Sequence, residues 1–311
     1  MVLINPIDYG FFPFFYENEE IHRLSISSLP VFMIILVGFL FFPFIYYLAY
    51  KNRRKEKFFD WTMFGIGIFL IVFEIMKQIT YAKMFGYLIG GVNEGKYWWN
   101  ILPLQLCSMH IYLCPLIPFL KGKHKQNVAM FIGLYAFIGG ITVLLGGLGF
   151  VLGGFQLENG QWFGDWFLVI HTLVWHIILI DLGALVFGYY HLDCLKLRDL
   201  FKIIRVPWII CISLMVFSQA LNIILPYILN YDPWVMSLNL WNFSWITGFN
   251  LPILKEFCRT SPAWIGGVIG TILYGVALYI AAVILLLVII GGKHIIAKFK
   301  GVNYYTKDYR V

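Results

Sequence analysis

Six side chains able to move a proton, attack carbon or hold a polar ligand stand inside apolar stretches: Glu74, Gln105, Cys107, His110, His171 and Asn222. An ionisable group in hydrocarbon is costly, so each is a candidate site unless pairing or packing accounts for it. A thiol becomes a nucleophile when a base or a positive field draws off its proton; histidine is the usual base, and a carboxylate can orient it. Cys107, His171 and Glu74 supply one of each. Gln105, two residues before Cys107, has an amide to offer a developing oxyanion, and His110 and Asn222 are polar groups that would contact a substrate. Such a set fits acyl transfer or ester hydrolysis. Without a nucleophilic step, the same groups would hydrogen-bond a polar solute or relay a proton, or would merely join helices.

Spacing narrows the arrangement. Glu74 and Lys77 are three residues apart and Gln78 follows one turn after Glu74, so the three share a helical face. They read either as a functional carboxylate or as an internal ion pair with Lys77 snorkelling to the membrane surface. Cys107, His110 and Cys114 recur at i, i+3 and i+7 on one face. One helix cannot close a tetrahedral metal set and buried cysteine is an ordinary apolar residue, so no metal is expected and plain packing is the alternative for each thiol. His171, His176 and Asp181 follow at intervals of five residues, which places successive members about 140° apart around a helix and keeps the three from facing one pocket.

Depth is more informative. Counted inward from the outer end of each expected span, Glu74 is five residues down, Cys107 six, His171 five and Asn222 seven. At about 1.5 Å per residue this is a single layer roughly 8 to 10 Å below the boundary. If the helices surround a common cavity, that layer is a polar pocket open toward the outer leaflet.

The elements that carry these residues follow from composition. Hydrophobic residues make up 60% of the 311, aromatic residues 19% and charged residues only 13%. Folded in water, such a chain would expose apolar patches beyond what soluble monomers tolerate, which excludes a cytosolic enzyme. The net charge of +7 sits in short basic runs between apolar segments, as membrane topology requires, so a nucleic-acid binder is excluded as well. Five cysteines without a CxxC pair support neither a disulfide framework nor a zinc ribbon. Acids near the start, Asp8, Glu17, Glu19 and Glu20, stand where a leader would need positive charge, so no cleaved leader is expected.

Runs of about 20 apolar residues mark the spans. The expected fold is an all-α polytopic membrane protein, a bundle of seven transmembrane helices at residues 29–50, 58–79, 101–120, 127–148, 166–190, 207–229 and 263–290. Lysine and arginine orient it: 17 fall on the side of the 51–57, 121–125, 196–205 and 291–311 segments, against five (Arg23, Lys83, Lys96, Lys255 and Arg259) on the other. The amino terminus is therefore expected outside and the carboxyl terminus inside, with 291–311 a cytoplasmic basic tail. Residues 1–28 read as an outer interfacial segment, Tyr97-Trp98-Trp99 as a headgroup-level belt, and the Trp-rich stretch 230–262 as a cap over the outer mouth. Ala136–Gly140 and Gly149–Gly153 have the small-xxx-small spacing of close helix contacts. Asn242-Phe243-Ser244 fits a glycosylation sequon.

Leu102-Pro103-Leu104-Gln105-Leu106-Cys107 resembles the LPLHLC-type opening of a central helix in the YwaF-like family of bacterial integral membrane proteins, with Gln105 standing where that family usually has histidine. The glycine-rich helix that follows, and Phe167-Leu168-Val169-Ile170-His171 with its helix-borne histidine, are similar to the same family. So is Gly248-Phe249-Asn250-Leu251 leading into Ser261-Pro262-Ala263-Trp264. The resemblance covers roughly residues 58–290. Its animal relatives include an ether-phospholipid acyltransferase, so it implies lipid acyl transfer with Cys107 and His171 at matching positions, adds Asn250 as a substrate contact, and implies a bacterial cytoplasmic membrane. The expected partners are membrane lipids and a lipid or small-molecule substrate. No cofactor is expected, and no sequence feature specifies an oligomeric state.

The orientation has a direct test. A cysteine placed at Lys96 should react with an impermeant maleimide from outside intact cells, and one at Lys51 only after permeabilisation. The reverse pattern would invert the topology.

Overall fold

The computed structural model describes residues 14–15, 29–88, 106–147, 155–156, 162–164, 166–191, 199–229 and 263–300. Among them are seven α-helices: α1 (Leu29–Lys51), α2 (Glu56–Leu88), α3 (His110–Leu113), α4 (Gly122–Ile141), α5 (Trp166–Tyr189), α6 (Leu200–Leu229) and α7 (Ala263–Lys300). The only other regular pairing described is a small antiparallel one, in which Trp162–Gly164 lies between Phe14–Phe15 and Phe155–Gln156. Five helical stretches are long and apolar enough to cross a membrane, in α2, α4, α5, α6 and α7. The chain is an integral membrane protein.

The third expected span departs from a plain helix. Its described part is a 3-10 turn at Leu106–Ser108, the single turn α3, and a further 3-10 stretch at Cys114–Phe119. Pro115 and Pro118 explain the break, because proline has no backbone N–H to donate and its ring crowds the preceding turn. Other helices overrun the expected limits: α2 continues to Leu88 and α7 passes through Gly291-Gly292 to Lys300. Residues 230–262 lie outside the described residues, as does most of 1–28.

Helices α4 and α5 form the centre. In the apolar stretch of α5, 72% is buried, and in that of α4, 56%, against 28% in each of the stretches of α2, α6 and α7. Helix α5 packs against α1, α4 and α2, and α4 also meets α6, α7 and the broken third segment. The outer helices turn Phe41 and Phe44 of α1, Ile68, Phe69 and Val72 of α2, and Ile280, Ile284 and Val288 of α7 outward. Continuous apolar exposure of this kind needs hydrocarbon around it.

Glycine sets how closely these helices approach. A Cβ on Gly140 would stand 2.6 Å from the carbonyl oxygen of His176, and one on Gly183 would stand 2.7 Å from Phe137 Cβ, so the α4–α5 seam closes on bare backbone from both sides. Gly38 does the same for α1 against Ile177, and Gly67 for α2 against Pro115. Association within lipid relies on such contact, since burying apolar surface gains little where the solvent is itself apolar.

One end of the bundle is fastened by aromatic and ionic contacts. Phe59 near the start of α2 stacks on Tyr189 at the end of α5 with centroids 4.1 Å apart, and Tyr50 at the end of α1 meets His191 at 4.9 Å. Lys125 in the first turns of α4 reaches Glu56 Oε1 at 2.5 Å and Asp60 Oδ2 at 2.9 Å in α2. The basic 51–57 and 121–125 segments therefore share an end, as alternating helix direction demands.

The seam can be tested by comparing two glycines. Gly140→Ala should destabilise by about 1–3 kcal/mol, as overpacking does, because a backbone carbonyl cannot yield like a side chain. Gly65→Ala, with nothing within 4 Å of the added carbon, should be neutral or gain about 0.5–1 kcal/mol from helix propensity. Thermal unfolding in detergent reads both.

Candidate functional site

Glu74 and Lys77 are buried, at 5% and 8% exposure, in the part of α2 that faces α5 and the third segment. Lys77 Nζ stands 2.6 Å from Glu74 Oε1, and Gln78 Nε2 donates to the same oxygen at 2.7 Å. The internal ion pair, one of the two readings of this spacing, is present, but with Lys77 buried rather than snorkelling to the surface. Its ammonium is drawn inward because the carboxylate one turn back offers a full charge where the lipid offers none. Helical spacing then puts Ile75 and Met76, on the other face, into lipid.

The second carboxylate oxygen faces α5. Glu74 Oε2 lies 3.9 Å from His171 Nε2 and accepts no hydrogen bond from any described residue. The His171 ring is clamped by Phe73 of α2, stacked with centroids 4.3 Å apart, and by Trp175 one turn along α5, at 5.2 Å. That clamp holds the plane of the imidazole between the two rings. Trp175 Nε1 donates to the backbone carbonyl of Cys107 at 3.2 Å, which fastens the 3-10 turn of the third segment to the same level of α5. Cys107 is half-buried, with Sγ 3.9 Å from Ser108 Oγ and Cβ against Gly139 of α4.

Glu74 and His171 thus meet, with Cys107 held at their level through Trp175. His110 is wholly buried, lies 6.1 Å from the Phe131 ring of α4, and has no hydrogen bond at either ring nitrogen from a described residue. His176 is turned away as its angular offset requires: Nδ1 lies 2.6 Å from the carbonyl of Thr172, back along its own helix. Asn222 belongs to α6, and Gln105 and Asn250 lie outside the described residues. Among the described residues no three of His, Cys, Asp or Glu converge as a metal site would need.

Sequence reasoning missed Trp175 and Phe73, which position the histidine. Both stood at legible offsets, four residues after His171 and one before Glu74. It also missed the pairing of Lys125 with Glu56 and Asp60, for which the i, i+4 acids at the start of α2 are a signal but the partner, 65 and 69 residues away, is not.

Breaking the buried pair from one side should be far worse than removing it. Lys77→Met leaves an uncompensated carboxylate and should destabilise by about 3–5 kcal/mol, while Glu74→Leu with Lys77→Met should recover most of that loss. A thermal-unfolding double-mutant cycle measures the difference; a double-variant loss equal to the sum of the two single-variant losses would mean the two charges do not depend on each other.

No family model, curated protein or solved structure matches this chain.

Proposed function

We propose that this integral membrane protein transfers or hydrolyses the acyl group of a lipid at the Glu74–His171–Cys107 layer, with Cys107 as nucleophile, His171 as base and Glu74 as the carboxylate that orients it. The observation that carries the reading is the approach of Glu74 Oε2 to within 3.9 Å of His171 Nε2 inside the bundle. A carboxylate there favours the imidazolium that forms when the ring accepts a thiol proton. The Trp175 hydrogen bond ties the cysteine-bearing turn to the histidine-bearing helix, so nucleophile and base sit on elements that move together.

The layer is one side chain away from lipid. Ile170 beside His171 and Tyr112 of α3 are exposed at 44% and 40%. An acyl chain can stay in the bilayer while its ester enters the cluster. In the proposed reaction His171 takes the Sγ proton as Sγ bonds to the ester carbonyl carbon. Collapse of the tetrahedral adduct breaks the carbon–oxygen bond, and His171 returns the proton to the departing alcohol. A second alcohol, or water, then attacks the thioester and restores the thiol. Lys77 opposes the negative charge that builds on the carbonyl oxygen, with Gln105 as the proposed hydrogen-bond donor to it. His110, Asn222 and Asn250 are proposed to contact substrate. Membership of the YwaF-like family, with a bacterial cytoplasmic membrane as the location, belongs to the same proposal.

One observation favours a second reading, a non-catalytic solute-binding or transport protein: Glu74 is already neutralised by Lys77 at 2.6 Å, a pair that can hold a dipolar solute without chemistry. The two readings separate at the thiol. In proteoliposomes carrying a phospholipid with a labelled acyl chain, Cys107→Ser should abolish transfer and hydrolysis, since a hydroxyl is far less ionised than a thiol. His171→Gln should lower the rate by about 10²–10⁴-fold. Turnover in the wild type that survives Cys107→Ser contradicts the catalytic reading; solute uptake with no acyl turnover in either protein supports the second.

A further inference from the structure

The Lys125 clasp joins two basic runs that are far apart in the chain. Arg54 and Lys55 between α1 and α2, Lys57 in the first turn of α2, and Lys121 and Lys123 at the entry to α4 are exposed. Between them Lys125 is buried, with Glu56 at 2.5 Å and Asp60 at 2.9 Å. The clasp holds two carboxylates and one ammonium, a net charge of −1, beside the five outer cations. Those five therefore leave one rim of the bundle with a positive excess. Like charges gathered in this way repel unless something anionic joins them.

What lies beside the rim identifies the occupant. Tyr47 of α1, two turns before Arg54, Trp61 of α2, one turn after Lys57, and Phe119 of the third segment, two residues before Lys121, are exposed at 59%, 66% and 73%. Large aromatic rings open to the surroundings at helix ends mark the headgroup level of a bilayer. A soluble polyanion would meet the cations and leave the rings uncovered. A phospholipid covers both, with its phosphate among the lysines and its glycerol and upper chain against the rings.

We propose that Arg54, Lys55, Lys57, Lys121 and Lys123 form a binding site for an anionic phospholipid of the adjoining leaflet, assembled by the Lys125–Glu56–Asp60 clasp and separate from the Glu74–His171 layer. The clasp does more than neutralise charge. It sets the distance between the two runs, and a single phosphate can engage both only while they are held together.

The test uses the full-length protein in zwitterionic micelles, titrated with phosphatidylglycerol, phosphatidylcholine or water-soluble glycerophosphoglycerol, with bound molecules counted by native mass spectrometry. Phosphatidylglycerol should bind in preference to both others. The pair Lys55→Gln and Lys57→Gln, and the pair Lys121→Gln and Lys123→Gln, should each weaken it, by about fivefold per lysine. All four together should cost less than the product of the two pairs, because either pair already opens the single site. These residues are exposed, so the fold should survive the changes. Glu56→Gln with Asp60→Asn raises the positive charge yet should weaken binding by releasing Lys125. Equal binding of phosphatidylcholine, or equally tight binding of the soluble headgroup, would overturn the proposal. So would strict multiplication of the two pairs' effects, which is what a diffuse surface field gives, or tighter binding by the folded charge-raising variant.

Discussion

A carboxylate and an ammonium cannot both remain ionised in hydrocarbon unless they face each other, and the architecture around Glu74 and Lys77 follows from that constraint. The pair puts one face of α2 inside the bundle and leaves the opposite face, with Ile75 and Met76, to lipid. Once that face is committed, α5 and the third segment must cover it. They do so with His171, Trp175 and the Cys107 turn, whose polar groups in turn need partners away from the lipid. The polar cluster and the helix arrangement are thus one solution to one problem.

Close approach of backbones makes the cover possible. Gly140 admits the His176 carbonyl and Ile180 of α5, and Gly183 admits Phe137 of α4, so α5 can act as a central post carrying His171 toward α2 while its other faces meet α1 and α4. The broken third segment contributes in a different way. A regular helix would have satisfied its own carbonyls, whereas the 3-10 turn at Leu106–Ser108 leaves the Cys107 carbonyl to accept from Trp175. The 3-10 turn is what hooks this segment to the histidine-bearing helix.

Part of this is legible in the sequence. Helix spans could be read because length and hydropathy report on the bilayer itself, and the shared depth of Glu74 and His171 could be counted from helix ends. The meeting of those two residues could not, since azimuth depends on which helices pack together, and the glycines that decide it look alike in sequence wherever they occur. Gly65 and Gly67 sit two residues apart on α2, yet one faces open space and the other Pro115. The third span misled for a related reason: its apolar length suits a helix, and Pro115 and Pro118 override length by removing donors. The Glu74–Lys77 pair could be read from the three-residue spacing, but its burial could not, since a pair that snorkels and a pair that turns inward have the same sequence pattern.

The central claim is that lipid reaches the buried Glu74–His171–Cys107 layer. A phospholipid bearing a photoactivatable diazirine beside its ester carbonyl, activated in proteoliposomes and followed by peptide mapping, addresses it directly. The account predicts adducts on the 106–113 segment and around His171 and Trp175, competed away by excess unlabelled phospholipid. Adducts confined to outward-facing residues such as Val72, Ile75 and Met76, with none on the buried cluster, would contradict it.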